Sequence, residues 1–164
     1  MRQYAAFKAS SFYTARGLVP FRTELSVGFR LNNVNICAGQ IDIIYQATKS
    51  PYEGQYFLID FKRVQVTHSL DPDERGYVDW MGRERMGKCG MEALPDTAFT
   101  RYSLQTAAYA VMLRTTHKLN VGPRMYLLRL HSDREAFELI KCRDLRSEAR
   151  EMLQIEYNRI QAQS

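Results

Sequence analysis

The amino-acid sequence predicts an α/β fold in which helices flank a central mixed β-sheet. Several segments carry apolar side chains at every second residue, as strands do, and two longer segments have the composition and spacing of helices. Their order, ββ(β), α, ββ, α, favours helices layered on a sheet. A length of 164 residues suits one core, so residues 1–164 are predicted to form a single domain.

The first half of the chain predicts strands. Residues 1–20 form a mixed N-terminal segment, and Pro20 indicates a break at its end. Alternating apolar and polar side chains then predict two strands, which the turn signal Asn32-Asn33 joins into an antiparallel hairpin. A strongly apolar run predicts a third strand that is buried on both faces. These strands extend from Glu24 to Arg30, from Val34 to Tyr45 and from Gln55 to Phe61.

The second half combines a long loop, two helices and two strands. Residues 64–98 are rich in Gly, Pro and charges and have no period, which predicts a lid-like loop. An alanine-rich helix follows, and Pro123 prevents it from continuing. Two strands then form a hairpin around Ser132-Asp133, and Asp144 is predicted to cap a last helix. The helices run from Thr100 to Thr116 and from Leu145 to Gln161, and the strands from Arg124 to His131 and from Ala136 to Cys142.

Composition excludes several classes of protein. No apolar run approaches the length needed to cross a bilayer, and residues 1–4 do not lead into the apolar region of a secretion signal. We therefore expect a soluble, intracellular protein without a membrane partner. The three cysteines are odd in number and lack Cys-x-x-Cys spacing, so they fit neither a disulfide framework nor a zinc site.

The positive charge is unevenly placed. The net charge is +5, and residues 1–36 hold five cationic side chains against one acid, Glu24. A basic edge suits a polyanionic partner because cationic side chains release the counterions condensed on phosphate. Charge alone fits a solvated surface at least as well.

Two carboxylates interrupt apolar strands. Asp60 follows Leu58-Ile59 and precedes Lys62 by two residues, so the period of a strand places Asp60 and Lys62 on one face. Asp42 has an equivalent setting in the preceding strand. Two converging carboxylates bind a hard cation such as Mg²⁺, and a lysine beside them can orient the water that attacks a phosphodiester. A strand-end ion pair between Lys62 and either aspartate is the other interpretation that these residues leave open.

Four segments, read in order, resemble the motifs of a known family. They are Arg22-Thr23-Glu24, Gly39-Gln40-Ile41-Asp42, Ile59-Asp60-Phe61-Lys62, and Tyr102-Ser103-Leu104-Gln105 with Tyr109. Together they resemble the PD-(D/E)xK nuclease superfamily, particularly its RecB-like and lambda-exonuclease-like branches, over about residues 20–160. The resemblance implies a restriction-endonuclease-like three-layer core. Ile41 stands where the superfamily's name has a proline, a common variation in the RecB-like branch.

The resemblance implies a Mg²⁺-dependent deoxyribonuclease, with Mn²⁺ as a substitute metal. Asp42, Asp60 and the backbone carbonyl of Phe61 would bind the metal, Glu24 would be a further acidic ligand, and Lys62 would position the water. Three scattered cysteines do not match the four-cysteine cluster of some RecB-like nucleases, so no iron–sulfur cluster is expected.

Two residues of the predicted helix complete the implied site. Gln105 and Tyr109 are four residues apart and therefore share one helical face. The resemblance implies that they steady Lys62 and the scissile phosphate. Without it, a surface glutamine and a core tyrosine would be the simpler interpretation.

The resemblance also implies DNA as the partner, in repair, recombination or replication, with this chain alone or within a larger polypeptide or complex. The loop 64–98 would then be either a flexible surface loop or a lid that clamps DNA. Two alternatives are a catalytically silent binding module and an RNA-cutting member, but no acidic or lysine position is lost and no histidine is suitably placed. The predicted DNA contacts are Arg22, Arg63, Arg83, Arg85, Arg101 and Tyr102.

Overall fold

The computed structural model describes residues 2–63, 70–71, 78, 80–131 and 135–163. Nine helices and strands follow one another within these residues. Two helices open the chain, a hairpin and a third strand follow, and a long helix leads to a second strand pair and a last helix. They are α1 (Arg2–Ala9), α2 (Ser11–Arg16), β1 (Leu18–Leu31), β2 (Val34–Ala47), β3 (Tyr56–Lys62), α3 (Ala98–Thr116), β4 (Met125–Arg129), β5 (Glu138–Lys141) and α4 (Arg146–Gln161).

The strands form one sheet in the order β1-β2-β3-β4-β5. All neighbours are antiparallel except β3 and β4, which run parallel. Parallel neighbours require a crossover connection, and α3 lies in that connection. The predicted α/β fold with a central mixed sheet and flanking helices is confirmed.

The predicted turn between the first two strands is also confirmed. Asn32 and Asn33 have φ angles of 46° and 67°, in the left-handed region. A two-residue turn with this backbone matches the twist of the strands that it joins, and asparagine tolerates the conformation better than most residues. Leu31 pairs with Val34 directly across the turn.

Helices cover both faces of the sheet. Successive side chains of a strand point to opposite faces. Ile44 and Leu58 pack in the core beneath α3 and α4, whereas their neighbours Ile43 and Ile59 pack in a second core with Phe7 of α1. The result is three layers, in which the sheet is buried on both sides.

The N-terminal segment differs from the prediction. Residues 1–20 were expected to be mixed, but α1 and α2 cover one face of the sheet. Ser10 caps α2 by accepting a hydrogen bond from the Tyr13 N–H, and Gly17 ends it with a φ of 56°. Helices this short are not stable alone. Tertiary packing stabilises them, because the Phe7 side chain is completely buried.

The first strand begins earlier than predicted. Pro20 indicated a break, yet β1 starts at Leu18 and continues through it. Proline has no N–H for a ladder, so it is tolerated in edge strands and at bulges. Both conditions hold, because β1 is the edge strand and its register shifts between Pro20 and Arg22.

The last helix begins without the predicted cap. Leu145 occupies the N-cap position, and its side chain makes no capping hydrogen bond. Asp144 instead accepts two hydrogen bonds from the Arg146 guanidinium, both at 2.7 Å. The turn Ser132-Asp133 and most of the segment 64–79 lie outside the described residues, so the loop predicted at 64–98 is described at residues 70–71, 78 and 80–98.

The long helix α3 is the most deeply buried of the four. Thr97 caps it by accepting a 3.0 Å hydrogen bond from the Thr100 N–H. Its small residues, including Ala107 at 0% exposure, allow it to lie close to the sheet. Within the described ranges, no helix combines the length and the apolar character needed to cross a bilayer.

Candidate active site

Three carboxylates stand at the same level of three adjacent strands. The pairs Thr23↔Ile43 and Leu25↔Ile41 place Glu24 of β1 opposite Asp42 of β2. β2 and β3 are antiparallel and Ile43 pairs with Ile59, so Asp42 and Asp60 are opposite one another at the next position. Since neighbouring strands are about 4.8 Å apart, three acids predicted from separate motifs lie at neighbouring positions across the sheet.

Asp42 bonds to β3 where the pairing of β2 with β3 stops. Its Oδ2 accepts a 2.7 Å hydrogen bond from the backbone N–H of Phe61, beyond the last paired residues of β2 and β3. Asp42 and Glu24 also line a cleft of about 590 Å³, together with Tyr4 and Leu130. One oxygen of Asp42 therefore has a structural partner, while the residue still faces an open space.

Asp60 is a buried acid whose charge is only partly compensated. It is 4% exposed, and its Oδ2 lies 2.5 Å from the Lys62 ammonium. Apart from this ion pair, Oδ2 has no hydrogen-bonding partner among the residues that the structure describes. Burial raises the pKa of Asp60; the Lys62 ammonium opposes this shift and the Asp42 carboxylate adds to it. The strand-end ion pair, one of the two interpretations left open by the sequence, is thus present between Asp60 and Lys62.

Lys62 also belongs to a chain of contacts that reaches α3. Its Nζ donates a 3.2 Å hydrogen bond to Gln105 Oε1, and Gln105 Nε2 donates a 3.1 Å hydrogen bond to the Tyr109 hydroxyl. The Lys62 ammonium also lies 4.2 Å from the centre of the Tyr102 ring. The helix and the strand that carried separate motifs therefore meet at Lys62.

Gly39 makes room for this chain of contacts. A Cβ atom on Gly39 would lie 2.6 Å from Cε1 of Tyr109, closer than side chains approach one another. The absence of a side chain on β2 thus lets the Tyr109 ring lie against the sheet, with its hydroxyl at Gln105. The glycine stood in the sequence motif, but its spatial role was not foreseen.

The acids fit a magnesium ion better than a metal that needs a full protein cage. Within the part of the chain that the structure describes, no three His, Cys, Asp or Glu side chains converge closely enough to hold a metal by themselves. Mg²⁺ commonly takes one or two carboxylates and completes its shell with water and substrate phosphates. Asp42 and Asp60, whose buried Oδ2 meets only the Lys62 ammonium among the described residues, fit that requirement. The Glu24 and Phe61 carbonyl ligands stay predictions.

Sequence reasoning missed a buried cation beside the site. Arg129 is 3% exposed and stands opposite Lys62 in the parallel β3–β4 pair. Its Nη1 lies 3.1 Å from Glu138 Oε2. In the sequence it was one residue of an alternating strand, and only the register with β3 brings it beside Lys62. An arginine in an otherwise apolar strand is the signal that could have indicated it.

The six predicted DNA contacts lie in different surroundings. Tyr102 lies beneath Lys62, and Arg101 on the preceding position of α3 faces solvent, 3.8 Å from Asp96. The Arg22 guanidinium lies over the Phe21 ring on β1. The other three, Arg63, Arg83 and Arg85, are exposed. Only Tyr102 contacts Lys62, and DNA binding by the six stays a prediction.

No known protein-family profile and no curated protein sequence matches the chain. Among solved structures, the fold is similar to that of the "Putative exonuclease" from Eubacterium rectale, with a TM-score of 0.50 and 13% sequence identity over 97% of this chain and 50% of that chain. The protein SSO0001 gives a TM-score of 0.43 and 12% identity over 98% of this chain and 56% of the other. The chain thus spans about half the length of these structures. The first similarity shows a nuclease-like α/β fold.

Proposed function

We propose that this protein is a metal-dependent nuclease that hydrolyses phosphodiester bonds in DNA, of the PD-(D/E)xK superfamily and its RecB-like or lambda-exonuclease-like branch. One observation carries the proposal: Glu24, Asp42 and Asp60 are level on three strands, beside a lysine that α3 holds in place. A strand-end ion pair would require only two of these residues. DNA repair, recombination or replication, alone or in a larger assembly, is the proposed setting.

In this proposal Asp42 and Asp60 hold the metal, with Glu24 as an outer acidic group and the Phe61 carbonyl as a backbone ligand. A bound Mg²⁺ or Mn²⁺ polarises the phosphate and lowers the pKa of a bound water. The two aspartates supply the negative charge that retains such an ion. Asp60 is suited to this because a buried carboxylate gains more from a nearby cation than an exposed one does.

Lys62 orients the water and the phosphate in the same proposal. Three groups fix its ammonium: Asp60 at 2.5 Å, Gln105 at 3.2 Å and the Tyr102 ring at 4.2 Å. A cation held in advance stabilises charge that develops on the phosphate without having to reorganise during the reaction. Gln105 and Tyr109 act through Lys62 and are positioning residues.

Cleavage of labelled DNA with Mg²⁺, Mn²⁺ or a chelator tests the proposal. We expect metal-dependent cleavage by the wild type, and rates lower by at least about 100-fold in Asp60→Asn and in Lys62→Ala. Asp144→Asn and Lys141→Ala are matched controls, because both residues are exposed and belong to other parts of the fold. Circular dichroism and thermal melting establish that each variant is folded.

Two results would contradict the proposal. The first is a folded wild type that cleaves neither single- nor double-stranded DNA with any of these metals. The second is cleavage by Asp60→Asn at the wild-type rate. Calorimetric titration with Mg²⁺ then identifies a silent binding module by the absence of heat, and matched RNA substrates identify an RNA-cutting enzyme.

A further inference from the structure

A short arm precedes α3 and is built on two antiparallel contacts. This arm consists of residues 78 and 80–96 and contains the bridges Val78↔Glu84 and Met86↔Pro95. The Gly87 N–H donates to the Leu94 carbonyl at 2.8 Å, which continues the second bridge. Met91 is 7% exposed beneath it. The base of the arm is therefore tied to the fold, while its tip faces solvent.

The tip exposes large apolar side chains. Trp80 is 90% exposed, Val78 60% and Met81 57%. A tryptophan normally removes 150–250 Å² from water when it is buried, so the indole of Trp80 has an unusually large apolar surface available. Exposed apolar groups that are clustered mark binding surfaces more often than scattered ones. Four of the six large exposed hydrophobic residues in the described ranges lie at positions 78–86.

The charges of the arm are separated along its length. From Val78 to Lys88 the sequence holds three cations, Arg83, Arg85 and Lys88, against two acids, Asp79 and Glu84. The acids nearer the base have partners within the fold: the carboxylate of Glu92 accepts from the Gly90 N–H at 3.2 Å, and that of Asp96 lies 3.8 Å from Arg101. The half of the arm that exposes Trp80 is therefore the positively charged half.

A cleft lies between the base of the arm and α3. Its volume is about 470 Å³, and Arg85, Lys88 and Arg101 line it together with Leu104 of α3. The next residue, Gln105, donates and accepts the hydrogen bonds that connect Tyr109 to Lys62. Three cations of the arm and of α3 thus lie along one cleft, together with one acid, Asp96.

We propose that the arm binds the unpaired end of a DNA strand, with the Trp80 indole stacked on a base and Arg85, Lys88 and Arg101 contacting the neighbouring phosphates. This inference deepens the proposed nuclease function and rests on it for the choice of DNA. Aromatic side chains stack on any base, but only on one that is free of its pairing partner. The arm therefore selects single strands, overhangs and frayed ends.

The sequence contains one tryptophan, so fluorescence excited selectively at the indole, and not at the ten tyrosines, reports on Trp80 alone. The full chain is titrated in chelator, where no metal-dependent cleavage occurs, with a single-stranded oligonucleotide and with the matching blunt duplex. We expect the single strand to quench the fluorescence at saturation and the blunt duplex to leave it nearly unchanged. A labelled oligonucleotide measures the affinity of the variants independently by anisotropy.

Variants separate stacking from general attraction. Trp80→Ala is expected to bind the single strand about 5- to 100-fold more weakly, and Trp80→Phe to restore most of that loss. Lys88→Ala should lower the slope of log affinity against log salt by about 0.7. Val19→Ala, which removes an exposed apolar side chain from β1 at 43% exposure, is the control and should bind as the wild type does.

Unchanged fluorescence at saturating single strand, with wild-type affinity in Trp80→Ala, would overturn the inference and assign the tip to a protein partner. Quenching without any cleavage in Mg²⁺ would support the inference and contradict the nuclease function. If the wild type and Trp80→Ala cleave single strands at equal rates, at concentrations below the binding constant, the nuclease function is supported and the role of the arm is contradicted. The two proposals therefore fail by different measurements.

Discussion

Glu24 has an unusual backbone for its residue type. Its φ is 49°, in the left-handed region that few residues other than glycine adopt, although it lies inside a strand. Conformations of this kind cost about 1–3 kcal/mol and occur often at functional sites. The bend occurs at the level of Asp42 and Asp60, so it coincides with the candidate metal-binding acids. A residue selected for stability alone would be glycine here.

Replacing Glu24 by glycine should separate stability from activity. We expect Glu24→Gly to have a free energy of unfolding equal to the wild type or higher by up to about 1 kcal/mol, because glycine adopts this backbone without a steric cost. Cleavage in Mg²⁺ should nevertheless fall by at least about 10-fold, since an acidic group is lost. Urea unfolding and DNA cleavage measure the two effects.

Asn33→Gly is the matched control for this variant. Asn33 has a φ of 67° and is exposed in the turn between β1 and β2. Asn33→Gly should have a free energy of unfolding changed by a similar amount, and it should cleave DNA at the wild-type rate. If Glu24→Gly cleaves DNA at the wild-type rate, Glu24 has no role in the active site.

At the scale of elements, the site depends on how closely α3 approaches β2. The Tyr109 ring lies over Gly39, and its hydroxyl accepts from Gln105, whose carbonyl oxygen accepts from Lys62. A shift of α3 by a few tenths of an ångström is therefore transmitted to the lysine. Two elements that are distant in sequence set the position of one ammonium group.

Gly39→Ala tests this coupling without altering a charged residue. The new Cβ would lie 2.6 Å from the ring, so we expect Tyr109 to move and the cleavage rate to fall by about 10-fold or more, with DNA affinity unchanged. Tyr109→Phe should show a smaller loss of rate with the same affinity. Single-turnover cleavage at saturating DNA measures the rate.

Gly28→Ala is the control within the same hairpin. Its Cβ would meet only the Cys37 carbonyl, at an ordinary distance of 3.6 Å. If both alanine variants cleave at the same rate, the Gly39–Tyr109 contact does not position Lys62.

At the scale of the whole molecule, the sheet face opposite α3 and α4 carries an aromatic core. Phe7, Tyr13 and Tyr45 pack edge to face, with ring centres 5.5–6.3 Å apart. The Tyr45 and Tyr4 hydroxyls are 2.9 Å apart. Burial is the main cause that raises the pKa of Tyr45, and the neighbouring phenols raise it further. These contacts attach α1 and α2 to the sheet, while α3 and α4 pack on its other face.

The buried phenol and thiol groups predict a loss of stability in alkali. Burial raises the pKa of Cys142 from 9.0 to about 11, and those of Tyr45 and Tyr126 rise from 10.0 for the same reason. The contribution of a group with a raised pKa is fully present below its unfolded value and is lost as pH rises toward the folded value. We therefore expect the free energy of unfolding to fall steadily above about pH 9.

Urea unfolding between about pH 8 and about pH 11 measures this loss, because this interval brackets the ordinary pKa values of thiols and phenols. The free energy of unfolding of Tyr45→Phe should fall less steeply with pH than that of the wild type, because one buried hydroxyl no longer titrates. Tyr157→Phe on α4, outside the aromatic core, should follow the wild type. If Tyr45→Phe has the same slope of unfolding free energy against pH as the wild type, the buried hydroxyl of Tyr45 does not cause the loss.

Much of the sheet could be predicted because its signals are local. The alternation from Glu24 to Arg30, the asparagine turn and the apolar run before Asp60 each predict a structure from neighbouring residues. The helices α1 and α2 could not be predicted in this way, since they are short and depend on burial of Phe7. Pro20 was misleading because only the sheet order shows that its strand is an edge.

For the candidate site, the sequence alone determined the chemistry available: three acids, a lysine two residues after one of them, and a glutamine and tyrosine one helical turn apart. Tertiary structure decided that the acids are level on three strands, that Asp60 is buried against Lys62, and that Arg129 lies beside them. The physical reason is the separation along the chain over which each effect acts. Strand and helix periods depend on adjacent residues, whereas cross-strand register and the loss of water around a charge depend on residues far apart in the chain.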